Sequence, residues 1–135
     1  MPYWTIRSFR DDRGRDPFDE AYRGQSATVR AEFRAVLNGL KAQREITGWS
    51  RENGFDLLAG KRWKKYHGLG KLRFKADRVQ HRPLGFFGPS RFGFTLLVWA
   101  TERDGAFHPR GVLDLALRRM KQVLENPGRA HECDF

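Results

Sequence analysis

Lys71-Leu72-Arg73-Phe74-Lys75, then Val79-Gln80-His81-Arg82-Pro83-Leu84-Gly85-Phe86-Phe87, then Phe92-Gly93-Phe94-Thr95-Leu96-Leu97-Val98-Trp99-Ala100 follow one another as three extended runs, and their reading decides the fold. The first alternates charged and apolar residues, the pattern of a strand with one wet face. Ala76-Asp77-Arg78 reads as a turn. In the second run Pro83 calls for a bulge or a weak end, because proline gives the ladder no N–H. Gly88-Pro89-Ser90 is a strong turn signal. The third run is apolar on both faces, which places it at the centre of a sheet. Consecutive strands joined by short turns predict an antiparallel meander.

Working outward, residues 3–9 alternate well enough for a first strand. Asp16-Pro17 reads as a helix start: Asp16 caps, Pro17 suits the first helical position, and Asp19 and Glu20 sit near the positive end of the dipole. A break is expected at Gly24. Val29, Phe33, Val36, Leu37 and Leu40 then form one apolar stripe on a helix from about Ser26 to Gln43. Residues 45–60 read as an irregular link, with a short turn around Phe55-Asp56-Leu57-Leu58. Near the end, Val112, Leu113, Ala116, Leu117, Met120, Val123 and Leu124 predict an amphipathic helix over about 110–125, stopped by Asn126-Pro127-Gly128. The fold class is α+β: a small antiparallel-rich sheet with N-terminal helices and a C-terminal helix packed on one face, the other face partly open. Residues 1–135 form a single domain in this reading, with 127–135 a flexible tail or a partner contact.

Composition narrows the function. The chain has 135 residues, enough for one core. No stretch approaches the ~20 apolar residues of a membrane span, and Met1-Pro2-Tyr3-Trp4-Thr5-Ile6-Arg7 has no run fit for a signal peptide, so a cytoplasmic location is expected. One cysteine, Cys133, excludes an internal disulfide and a cysteine-rich zinc site. The histidines, at 67, 81, 108 and 131, lack metal-ligand spacing, so neither a metal nor a cofactor is expected. Lys and Arg total 26 against 16 Asp and Glu, and the excess is concentrated. Lys61, Arg62, Lys64, Lys65, Lys71, Arg73, Lys75, Arg78 and Arg82 stand against Asp77 alone between 61 and 82. Such a cluster points to a polyanion or an acidic protein partner.

On a strand, Lys71, Arg73 and Lys75 share a side, about 7 Å apart, which matches a phosphate backbone. Arg82 on the next strand adds a fourth cation. Trp63, Tyr66, Phe74, Phe86 and Phe87 are interleaved as stacking platforms or as plain core. The loop Thr101 to Pro109 holds Glu102, Arg103 and His108, group types suited to proton transfer and to charge stabilisation on phosphate; Glu102 paired with Arg103 or Arg110 is the simpler reading. His67 and His81 flank the basic strand, as acid–base groups or as plain surface residues.

Gly68-Leu69-Gly70-Lys71-Leu72-Arg73-Phe74, followed by Arg82-Pro83-Leu84-Gly85-Phe86-Phe87, Phe94 to Ala100, and a helix of the type "A-x-x-R" at Ala116-Leu117-Arg118-Arg119, resembles small toxins of the RelE/ParE superfamily, especially the HigB-like, phage-derived branch. The resemblance covers about residues 55–125. It implies a RelE-like fold and a toxin of a type II toxin–antitoxin pair. Its partners would be a cognate antitoxin, mRNA and the ribosome, and its activity metal-independent endoribonuclease cleavage by attack of a 2′-hydroxyl on the neighbouring phosphate. Carried onto this chain, Arg73 is a phosphate or transition-state contact, and Arg82 is the arginine of the following strand. Lys64 and Lys65 lie where upstream basic residues of the ribonuclease branch lie, and Arg103 keeps one cation of a stretch that is often double-lysine. Glu102 reverses the other. The loop lacks a tyrosine before the last helix, and His108 is the nearest replacement. The expected catalytic set is therefore Arg73, Arg82, Arg103 and His108, with RNA contacts from Lys64, Lys65, Lys71, Lys75, Arg118 and Arg119. Other readings are a ParE-like inhibitor of DNA gyrase, a non-catalytic nucleic-acid-binding protein of phage origin, and a basic protein-interaction domain.

Overall fold

Strand patterning and helix caps account for most of the architecture. A computed structural model describes residues 3–135. In chain order it contains β1 (Thr5–Phe9), α1 (Pro17–Arg23), α2 (Ala27–Lys41), β2 (Phe55–Leu57), β3 (Gly70–Leu72), β4 (Phe74–Ala76), β5 (Val79–His81), β6 (Leu84–Phe87), β7 (Gly93–Val98), β8 (Thr101–Arg103), β9 (Ala106–His108), α3 (Val112–Glu125) and β10 (Ala130–Glu132). Short 3-10 turns occupy 46–48, 51–53, 61–66 and 127–129. Asp16 caps α1 by accepting from the Asp19 N–H, and Ser26 caps α2 by accepting from Val29. No helix among the described residues is long and apolar enough to cross a membrane.

The class is α+β, with two sheets. The larger runs β10-β1-β7-β6-β3-β2, and the smaller β4-β5-β8-β9. Every residue of β7 is buried, as its two-sided apolar sequence requires. β1 runs parallel to β7, the connection between them carrying α1, α2 and strands β2–β6, while β6, β3 and β2 add antiparallel strands. One face of the larger sheet packs on a core of Ile6, Phe18, Phe33, Leu37, Leu72, Phe94 and Leu96; the other packs α3 against Phe9, Leu84, Leu97, Val112, Ala116 and Val123. Helices thus cover both faces of this sheet, against the expectation of one, because β7 carries apolar side chains in both directions.

Three other local expectations give way. The run Lys71 to Lys75 is not one strand: it breaks at Arg73, whose N–H bonds to Gly54 O at 2.7 Å, and passes from the larger sheet to the smaller. Thr101 to Pro109 is a hairpin rather than a loop, turning through Asp104 and Gly105 at φ 53° and 74°. The C-terminal segment is not a loose tail. β10 pairs with β1, His131 Nε2 lies 2.9 Å from Asp16 Oδ2, and the Phe135 ring meets those of Phe18, Tyr22 and Phe33 within 5.7 Å.

Gly70 and Gly85 face one another across β3 and β6. A Cβ on Gly70 would collide with the Phe55 ring, and one on Gly85 with the Phe94 ring and the Thr95 carbonyl. The paired glycines are the slot that lets two aromatic rings close over the sheet, their centroids 5.6 Å apart. Gly85→Ala is expected to destabilise the protein by about 1–3 kcal/mol through overpacking, measured by urea unfolding. Deleting residues 130–135 is expected to lower the urea midpoint as well; an unchanged midpoint would mean that β10 adds nothing to the fold.

Candidate nucleic-acid interface

Register in the smaller sheet sorts its side chains into two rows. Lys75 opposes Gln80, Gln80 opposes Glu102, and Glu102 opposes Phe107. Directly opposed residues share a face, so these four form one row. Phe74, His81, Thr101 and His108 form the other, on the face that α2 covers. The first row is open: Lys75 and Gln80 are exposed, Glu102 and Phe107 half-buried.

Arg82, two residues beyond Gln80, returns to the open face, and each of its three guanidinium nitrogens donates a hydrogen bond. Its Nε donates to Glu102 Oε1 at 2.8 Å, Nη2 to Gln80 Oε1 at 2.8 Å, and Nη1 to the His81 carbonyl at 2.9 Å. Lys71 Nζ stands 4.0 Å from the same Glu102 oxygen and 5.2 Å from the centre of the Phe107 ring. Burial holds the Lys71 ammonium below the ordinary lysine pKa; Glu102 pulls it back up, while Arg82 and Arg73 push it further down. The Arg73 Nε is buried with no hydrogen-bond partner. A groove of about 240 Å³, lined by Arg51, Arg73, Phe74, Lys75, Gln80 and Arg82, runs beside these groups. Lys71, Arg73 and Lys75 do share a side, since the burial alternation of Leu72, Phe74 and Ala76 persists through the strand break.

The expected catalytic set divides. Arg73 and Arg82 line one groove, but Arg82 is not an open phosphate contact: with its side chain 7% exposed, a guanidinium needs internal acceptors, and Glu102 supplies one. Glu102 pairs with Arg82 and Lys71 rather than with Arg103 or Arg110. Arg103 and His108 alternate to the opposite side of the β8–β9 hairpin and do not join the groove.

Of the expected RNA contacts, Lys64, Lys75 and Arg118 are exposed. Lys65 is exposed but paired with Asp114 at 2.8 Å. Arg119 turns inward, because position 119 lies along the buried stripe between Ala116 and Val123; its Nη1 donates to Leu97 O at 2.9 Å, and the guanidinium lies over Phe9. Phe74 and Phe86 are core, while Trp63 and Tyr66 are half-buried. Gln80, Arg51 and Phe107 were missed as members of the face; the Asp104-Gly105 turn, about which Glu102 and Phe107 are placed opposite one another, was a signal for Phe107 alone. Among the described residues no cluster of His, Cys, Asp and Glu could hold a metal ion.

His81 is a core residue, 4% exposed, rather than a surface one. It stacks on Phe74 at 5.2 Å, and its Nδ1 accepts from the Trp99 indole N–H at 3.1 Å, so a neutral ring carries its proton on Nε2. Burial is the main cause of its lowered pKa. The unfolded chain therefore binds the proton first, and stability falls as pH drops through the ordinary histidine value of 6.5. His81→Phe is expected to lower stability by a constant offset, from the unpaired Trp99 N–H, and to flatten this acid slope, as read by urea midpoints between neutral and mildly acidic pH.

No family model, no curated protein and no solved structure matches this chain.

Proposed function

We propose that this protein is an RNA-directed toxin of the RelE/ParE type, cleaving mRNA without a metal, and that the open face of the smaller sheet is where it grips the sugar-phosphate chain. The observation that carries the reading is the groove at Arg51, Arg73 and Lys75, with Lys71 and Glu102 beside it. Within residues 55–125, antiparallel strands followed by a helix are elements of the kind the motif resemblance implies.

In this reading Arg73 faces the scissile phosphate and stabilises the charge that builds on its oxygens. Glu102 takes the proton of the 2′-hydroxyl as that oxygen attacks phosphorus. Lys71, its pKa lowered by burial, gives a proton to the departing 5′-oxygen. The products are a 2′,3′-cyclic phosphate and a 5′-hydroxyl; Lys71 Nζ and Glu102 Oε1 stand 4.0 Å apart, beyond direct hydrogen-bond reach, so the proton returns from Glu102 to Lys71 through water. Arg82 acts through Glu102, fixing its carboxylate. A cognate antitoxin would neutralise the same cations.

Arg73→Ala and Lys71→Met are expected to abolish growth arrest on induced expression, with loss of transcript cleavage by primer extension of about a hundredfold or more. Both proteins should remain folded by circular dichroism. Growth arrest without new transcript ends would favour a gyrase-directed toxin, and harmless expression would exclude a toxin.

A further inference from the structure

Beyond the cation groove lies a second concavity of about 260 Å³, between the turn at 61–66, the β8–β9 hairpin and the start of α3. Its walls are Trp63, Tyr66, Phe107 and Leu113, with Arg62 and Asp114 at the rim. Arg62 lies over the Trp63 ring, its Cζ 4.4 Å from the centroid, and is held there by a 2.6 Å hydrogen bond from Nη2 to the Gly105 carbonyl. Phe107 meets Trp63 edge-on at 5.4 Å. At the other side Asp114 Oδ1 accepts from Lys65 Nζ and from the Tyr66 hydroxyl, each at 2.8 Å, which fixes the carboxylate at the mouth. Lys71 Nζ lies 5.2 Å from the centre of the Phe107 ring, one wall of this pocket.

We propose that the Trp63 pocket takes one unpaired base of single-stranded RNA, stacked on the Arg62 guanidinium and read at its edge by Asp114. The inference rests on the reading of the open face as an RNA grip. A planar cation on an indole is a ready stacking surface for a base, whose flat faces pair with arginine planes as well as with aromatic rings. A duplex cannot present a base to it without unpairing. An ionised carboxylate at the mouth accepts from an exocyclic amino group, which adenine, cytosine and guanine carry and uracil lacks. The cations that act on Asp114 are Lys65 and Arg118, and they favour the approach of the flanking phosphates.

The test is binding of a single-stranded RNA of about twelve nucleotides by anisotropy, with an abasic site moved along it. One position is expected to cost about tenfold in affinity. Uracil there should bind more weakly than cytosine, and the paired duplex should bind more weakly throughout. Arg62→Lys keeps the charge but loses the plane; Arg62 is exposed, and circular dichroism checks that the variant keeps its fold. In that variant the position-specific loss should disappear. An abasic profile flat to within about twofold, or one unchanged by Arg62→Lys, overturns the pocket. Arg73→Ala separates the two readings: if it weakens every oligonucleotide alike while the abasic profile is flat, the grip stands and the pocket fails. If it weakens none, the grip itself fails.

Discussion

The pairing of Arg82 with Glu102 is the interaction on which the rest of this protein's surface depends. It ties the residue that follows β5 to β8 and is reinforced by Gln80 and by the His81 carbonyl. With its side chain 7% exposed, the Arg82 charge has no water to fall back on, and removal of its carboxylate would leave it uncompensated, a change that costs about 3–5 kcal/mol in buried pairs. The same carboxylate faces Lys71. One acid thus bears on two things: it compensates the buried Arg82 charge, and it partly offsets the lowering that burial imposes on Lys71.

What remains free is Arg73, Lys75 and the exposed cations around them. Arg73 sits where the chain leaves one sheet for the other, so its backbone is held by Gly54 while its guanidinium faces the groove. Just past that junction α2 packs on β4, so it covers the Phe74 face of the smaller sheet and leaves the Lys75 face open. The larger sheet is sandwiched by helices; the smaller one is not, and its bare row of Lys75, Gln80, Glu102 and Phe107 is where charge and aromatic surface stand together.

Much of the fold was legible. Ser26 and Asp16 as caps, the stripe on α2, the two-sided apolarity of Phe94 to Val98 and the turn at Asp77-Arg78 are local signals, each readable within one element. The basic face was legible for the same reason, since alternation along Lys71 to Lys75 needs no knowledge of neighbours. What escaped was non-local. The partner of Arg82 lies twenty residues away and is chosen by strand register. The pairing of β10 with β1 joins the two ends of the chain, and the strand Phe55–Leu57 exists only because β3 offers it an edge. Arg103 and His108 seemed to belong with the arginines by type; a hairpin turns them away.

The most direct test of the central claim is amide chemical-shift mapping while a single-stranded RNA oligonucleotide is titrated into the protein. Perturbations should gather at Arg51, Arg73, Lys75, Gln80 and Phe107 and fade as salt is raised. Shifts centred on Arg103, His108 or the outer surface of α2, or none at any salt, would contradict the account.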